Sequence, residues 1–313
     1  MGYFSLLASA FVGWGLGAND SANIFGIAVY TKVVKYSTAV ILTVIFVMLG
    51  AYIDGHKGIE KLSGYAFDGG IVTNEAAFFV MLAAGLTVML MTILKIPVST
   101  SQAVIGSIMG GGILGGHTDL SAGSKFFGAW VLTPIGSMVI AYILYFILSK
   151  ILKHQNSHFK WYEITIKLGY IIVGILGAYA LGANNVANVT AIFAGNLALI
   201  STKTAVLIGG AAISLGVITY SKSVMSTIGK KLVPLSAIAG LMVVLASAII
   251  VYIYARVGIP VSTSQAVVGG IIGVGFKMGV NNINKRTLRS IVLAWVLTPT
   301  IACLISLSLS LFL

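Results

Sequence analysis

The chain of 313 residues is 58% apolar and only 8% charged, against roughly one-quarter charged in soluble domains, which excludes a water-soluble globule. Its net charge of +12 would suit a nucleic acid, but the 19 Lys and Arg lie between or at the ends of apolar stretches, with no basic run interleaved with aromatics. Nucleic acid is therefore excluded as a partner, membrane lipid takes its place, and the one cysteine, Cys303, allows no intrachain disulfide.

The first apolar stretch lacks a basic leader and holds Asn19, Asp20 and Asn23 in its core, as suits a retained membrane element rather than a cleaved signal. In chain order, ten segments approach or exceed the roughly 20 residues that cross a bilayer. They are 3–30, 36–53, 76–94, 97–116 and 127–149, then 164–197, 204–221, 233–255, 260–280 and 288–313. The first and sixth are longer than a bilayer needs and carry a Gly-Ala-Asn break, so each is expected to be a broken helix or a re-entrant hairpin.

Three anchors recur. Gly17-Ala18-Asn19-Asp20-Ser21-Ala22-Asn23 answers Gly182-Ala183-Asn184-Asn185-Val186-Ala187-Asn188 at an offset of 165. Ile96 through Val104, containing Pro-Val-Ser-Thr-Ser-Gln, recurs as Ile259 through Val267 at 163, and Ala129-Trp130-Val131-Leu132-Thr133-Pro134 recurs as Ala294 through Pro299 at 165. Five segments per half would turn the second copy upside down relative to the first. The expected fold class is an all-α integral membrane protein of two inverted repeats, 1–155 and 160–313, of about five membrane segments each with broken or re-entrant helices. Together they form one transporter unit. If all ten segments cross, 14 of the basic residues fall on one side and 5 on the other. The richer side should be cytoplasmic, giving a multi-pass cell-membrane protein with both termini outside.

Six of the seven acidic residues, Asp54, Glu60, Asp68, Glu75, Asp119 and Glu163, lie in or beside loops. Asp20 alone lies within an apolar segment, where a carboxylate costs about 2.5–3.5 kcal/mol on insertion scales and marks function by default. Asn19, Asp20 and Asn23 share a helical face, and their oxygens, with carbonyls freed by an unwound turn at Gly17-Ala18, would suit a hard cation such as Na+. The bland alternative is that the asparagines hydrogen-bond two helices together.

In the second motif, Pro97 suits a first helical turn, and Ser99, Thr100 and Ser101 can cap it, leaving hydroxyls and free N–H groups at the positive end of a helix dipole, where anions bind. Residues 260–265 would bring a matching helix start from the opposite direction; otherwise both are ordinary N-caps. Neither motif contains Lys or Arg. A bound oxyanion would be held by hydroxyls, backbone N–H groups and co-bound cations, so its binding would depend on the cation. Gly106, Gly110 to Gly112, Gly115 and Gly116 read as close helix packing, and Trp130 and Trp295, each before Leu-Thr-Pro, as repeated packing or kink elements. The four histidines show no metal-ligand spacing, and nothing resembles a hydrolase motif. The expected activity is not enzymatic.

Paired Gly-Ala-Asn-Asp-x-Ala-Asn and Pro-Val-Ser-Thr-Ser-Gln-Ala motifs, each present twice, resemble the signature of the inorganic phosphate transporter (PiT) family across essentially the whole chain. The resemblance implies symport of inorganic phosphate with Na+ or H+ through an inverted-repeat fold, as a homodimer. It implies phosphate on Asp20, Ser99, Thr100, Ser101, Ser262, Thr263 and Ser264. The coupling cation, Na+ in the favoured reading, falls to Asn19, Asp20, Asn23, Gln102, Asn184, Asn185, Asn188 and Gln265, with no organic cofactor. The same machine carrying another oxyanion such as sulfate, or using H+, is the alternative. One departure stands out: the family usually has Asp in both copies, and here the second has Asn185.

Overall fold

The computed structural model describes residues 2–93, 98–113, 116, 120–153, 159–231, 235–279 and 285–312. Every regular element among them is helical: α1 Leu6–Tyr30, α2 Tyr36–Asp54, α3 His56–Asp68, α4 Asn74–Ile93, α5 Thr100–Ile113, α6 Leu120–Lys153, α7 Phe159–Thr190, α8 Thr202–Lys231, α9 Ala237–Val257, α10 Thr263–Met278 and α11 Lys285–Ser310. Short 3-10 turns precede α1 and follow α7.

Seven of these helices, α2, α4, α6, α7, α8, α9 and α11, are long and apolar enough to cross a membrane. Their outer faces carry large apolar side chains such as Ile45, Val131, Ile172, Leu215 and Val296, all exposed, a surface that only lipid covers cheaply. At about 1.5 Å rise per residue, the 14 residues of α5 and 16 of α10 fall short of a hydrocarbon core of about 30 Å. Ten full crossings, assumed above for the count of basic residues, are therefore not what these helix lengths give.

The breaks also lie elsewhere than expected. α1 runs uninterrupted through Gly17-Ala18-Asn19-Asp20, and α7 runs through Gly182-Ala183-Asn184-Asn185, so the expected unwound turn is absent. The glycines serve close approach instead: a Cβ on Gly17 would collide with the Ile213 carbonyl of α8, and one on Gly182 with the Val47 carbonyl of α2. The chain breaks at the Ser-Thr-Ser-Gln copies, between α4 and α5 and between α9 and α10. Gly258, at φ +78°, closes α9 in the left-handed region that glycine enters freely, and its N–H is satisfied by Ala255 and Tyr254.

Helices pair across the two halves. α1 lies along α8 and α2 along α7; α5 lies along α11 and α6 along α10. The contacts are reciprocal to the residue: Gly50 packs on the Tyr179 carbonyl and Gly216 on that of Trp14, while Gly106 meets Pro299 and Gly269 meets Pro134. Gly110 likewise meets Cys303, and Gly273 meets Met138. The expected packing roles of Gly106, Gly110 and the Leu-Thr-Pro elements are thus realised; Gly115 lies outside the described residues. A core of Leu16, Phe25, Val47, Leu181 and Ile213 fills the space among α1, α2, α7 and α8.

α3 was expected to be loop. It is an amphipathic helix that buries Ile59, Leu62, Tyr65 and Ala66 at helical spacing, exposes Glu60 and Lys61, and packs on α7 and the turns after it.

Candidate substrate and cation site

The two Ser-Thr-Ser-Gln copies begin two helices in the same way. Ser262 is the N-cap of α10, its Oγ accepting from the Gln265 N–H at 3.3 Å, and Ser99 Oγ accepts from the Gln102 N–H at 3.3 Å. Each is half of a capping box, in which a side chain at the third helical position would reach back to the cap. The glutamines do not complete it, for Gln102 Oε1 and Gln265 Oε1 are both buried without a partner among the described atoms. Pro260 precedes the cap by two residues, so the expected first-turn proline is not found there, and Pro97 lies outside the described residues.

These helix starts meet. Ser101 Oγ donates to the Val261 carbonyl at 3.1 Å, and Ser264 Oγ donates to the Val98 carbonyl at 3.2 Å, so each motif hydrogen-bonds the other's backbone at the matching place. Ser262 Oγ lies 2.9 Å from Ser264 Oγ. Thr100 Oγ1 is buried and has no partner among the described atoms.

α1 and α7 bring their amides to this junction because the glycines beside them let α8 and α2 pack close. Asp20, 5% exposed, accepts from Asn23 Nδ2 at 3.4 Å and is hydrogen-bonded by Thr263, to which Asn23 Nδ2 also donates at 3.5 Å. On α7, Asn188 Nδ2 donates to Asn185 Oδ1 and to Ser101 Oγ, both at 2.9 Å. Asn184 clamps the start of the second motif, accepting from the Val261 N–H at 3.0 Å and donating to the Ile259 carbonyl at 3.3 Å. Asn19 stands apart, its amide donating to Gly15 O at 2.9 Å and Thr92 Oγ1 at 3.2 Å. Asn184 and Asn19 thus make contacts of the kind weighed as the alternative for the motif, amides that tie helices and backbone together.

One residue was misjudged. Asp54, assigned to a loop, is buried at 4% exposure and holds Tyr179 OH at 2.7 Å, Arg256 Nη1 at 3.2 Å and Lys57 Nζ at 3.6 Å. Asp20 is not the only buried carboxylate. The missed signal was the helical spacing of α3, whose Lys57 reaches back to the end of α2.

Bilayer-length apolar helices wrapped around a buried junction of amides, hydroxyls and a carboxylate define a polytopic membrane transporter. The phosphate transporter family matches residues 16–306, and the chain belongs to it. The chain is 30% identical to the "Putative phosphate permease" of Methanocaldococcus jannaschii over 96% of this chain and 94% of that one. It is 27% identical to that of Thermococcus kodakarensis over 94% and 93%, and 28% identical to the sulfate permease of Bacillus subtilis over 99% and 87%. A solved structure, the sodium-dependent phosphate transporter, matches with a TM-score of 0.85, covering 98% of this chain and 97% of that one at 20% identity, a likeness of fold.

Proposed function

We propose that the chain is a sodium-coupled inorganic phosphate symporter of the cell membrane, a homodimer of units whose two halves are inverted copies, working by alternating access. The observation that carries this reading is the reciprocal meeting of two helix starts, Ser101 on Val261 and Ser264 on Val98, beside the buried carboxylate of Asp20. Helix N-termini and hydroxyls attract an oxyanion. The carboxylate, with the unpartnered oxygens of Gln102, Gln265 and Asn188, offers the hard ligands that Na+ takes.

Neither motif has a Lys or Arg, so the positive charge beside the anion must come from the coupling ion. Each ligand then raises the other's affinity by the same factor. Replacing Na+ with choline at constant ionic strength should weaken phosphate binding at least about tenfold, or roughly 1.4 kcal/mol. Titration calorimetry on the purified protein reads this directly. Equal affinity in choline and sodium would end the symport mechanism. Sulfate is a second reading, favoured by the near full-length likeness to a sulfate permease. Proteoliposome uptake under a sodium gradient, with sulfate as competitor, separates the two.

A further inference from the structure

Hydrogen-bond directions around Asn185 are fixed by a backbone carbonyl. Val261 O can only accept, so the Ser101 hydroxyl 3.1 Å away donates its proton there. Ser101 Oγ is then an acceptor toward the Asn188 side chain, and the Asn188 atom at 2.9 Å must be Nδ2. That same Nδ2 lies 2.9 Å from Asn185, whose facing atom must be Oδ1. The opposite assignment of either amide would set two acceptors or two donors against each other. What remains of Asn185 is Nδ2, buried in a residue only 1% exposed and without a partner among the described atoms.

Among the unsatisfied atoms of the junction the Thr100 hydroxyl can donate or accept, and the amide atoms fall into two kinds. Gln102 Oε1, Gln265 Oε1 and Asn188 Oδ1 are acceptors, and with the Asp20 carboxylate they suit a cation. Asn185 Nδ2 is the exception: its lone pair is delocalised into the amide and its two hydrogens point outward, so it repels a cation and attracts an oxyanion. Asp20, at the equivalent place in the first copy, faces its surroundings with carboxyl acceptor oxygens. The two copies of one motif thus offer opposite chemistry.

We propose that Asn185 is a substrate ligand rather than a cation ligand, its Nδ2 donating to an oxygen of the bound tetrahedral oxyanion. The proposal rests on the reading that the two motif copies enclose such an anion, and it adds a specificity determinant. An amide donor asks for an acceptor oxygen and not for a substrate proton, so it serves sulfate as well as hydrogen phosphate. A carboxylate there would accept a hydrogen bond from the hydroxyl of hydrogen phosphate and repel sulfate, which has none.

The test is Asn185→Asp, which keeps an oxygen for Asn188 while removing the donor, with Asn185→Ala as a second variant and size-exclusion elution in detergent as the check of folding. Phosphate and sulfate affinities are measured by titration at saturating sodium, and sodium affinity in oxyanion-free buffer. In Asn185→Asp, sulfate affinity should fall at least about tenfold more than phosphate affinity. In Asn185→Ala both should weaken, by roughly five- to tenfold, with sodium affinity unchanged. A cation ligand predicts a different pattern, since the added carboxylate would tighten sodium itself in the oxyanion-free titration. Oxyanion affinities unchanged in Asn185→Ala, or tightened sulfate binding in Asn185→Asp, would overturn the proposal while leaving the transport reading intact. A wild-type protein that binds neither oxyanion would overturn both.

Discussion

Trp14 on α1 and Tyr179 on α7 stand at equivalent positions, 165 residues apart, and each reaches from its helix to a partner in the other half. Trp14 Nε1 donates to Thr219 Oγ1 on α8 at 2.8 Å, and Thr219 passes its own proton to the Leu215 carbonyl at 2.8 Å, which ends a neutral chain. Tyr179 instead meets Asp54 on α2 and joins an ion cluster with Arg256 and Lys57. Where the second copy has Arg256, three residues before Ile259, the first has Ile93 before Ile96. The glycine-to-carbonyl contacts that hold the same helix pairs are reciprocal, whereas these corners differ in charge. Backbone packing tolerates little change once two helices touch, while a side chain at their edge can change its chemistry if its new charge finds a partner. Asp20 and Asn185 diverge in the same manner at the centre of the molecule.

The largest effect should come from making the two centres alike. Asp20→Asn removes the carboxylate at the junction and should abolish sodium-driven phosphate uptake in proteoliposomes while the protein still elutes as a folded species; uptake that keeps its sodium dependence would remove Asp20 from the cation site. Next are the corners. Arg256→Gln leaves Asp54 buried with only Tyr179 and a more distant Lys57, and should lower stability by about 1–3 kcal/mol, reduced by the exposure of Arg256 itself. Thr219→Val at the neutral corner should cost about 0.5–1.5 kcal/mol. Thermal unfolding in detergent would compare them, and equal losses would mean that the charge at the second corner adds nothing. The smallest contrast lies in the serines. Ser101→Ala strands both the Val261 carbonyl and one Asn188 N–H, whereas Ser264→Ala strands the Val98 carbonyl and loosens Ser262. We expect about 1–3 kcal/mol for the first and roughly 1 kcal/mol less for the second. The same unfolding assay would show whether the order is instead reversed.

Helix content, the internal repeat and most long spans were legible because hydrophobic length and repeated anchors are one-dimensional signals. Ser99 and Ser262 as caps were legible for the same reason, since a cap acts within four residues of chain. The Gly-Ala-Asn element misled because glycine in a polar stretch reads as a break; only the partner helix shows that Gly17 and Gly182 are contact points inside unbroken helices. α3 was hidden by its charges, and Asp54 by a sequence position that says nothing of Arg256, 202 residues away. The convergence of the two motifs could be suspected from dipoles. That Asn184 and Asn19 would be committed to backbone and helix contacts could not, because hydrogen-bond direction depends on neighbours distant in the chain.

The cross-half pairing also has a consequence for how the chain is made. α1 is the one long helix among those described whose own apolarity does not qualify it as a span, and it carries a carboxylate that hydrocarbon disfavours by about 2.5–3.5 kcal/mol. Its principal packing surface is α8, which is synthesised almost 200 residues later. α1 can pack on α4 within its own half, but its main partner surface is complete only when the second half supplies α8. Each half brings one helix to each of the four pairs held by glycine-to-carbonyl contacts, so neither half alone can cover those glycines. A first half released alone is an incomplete surface rather than a smaller transporter, since its cross-half pairs can close only once the second half exists.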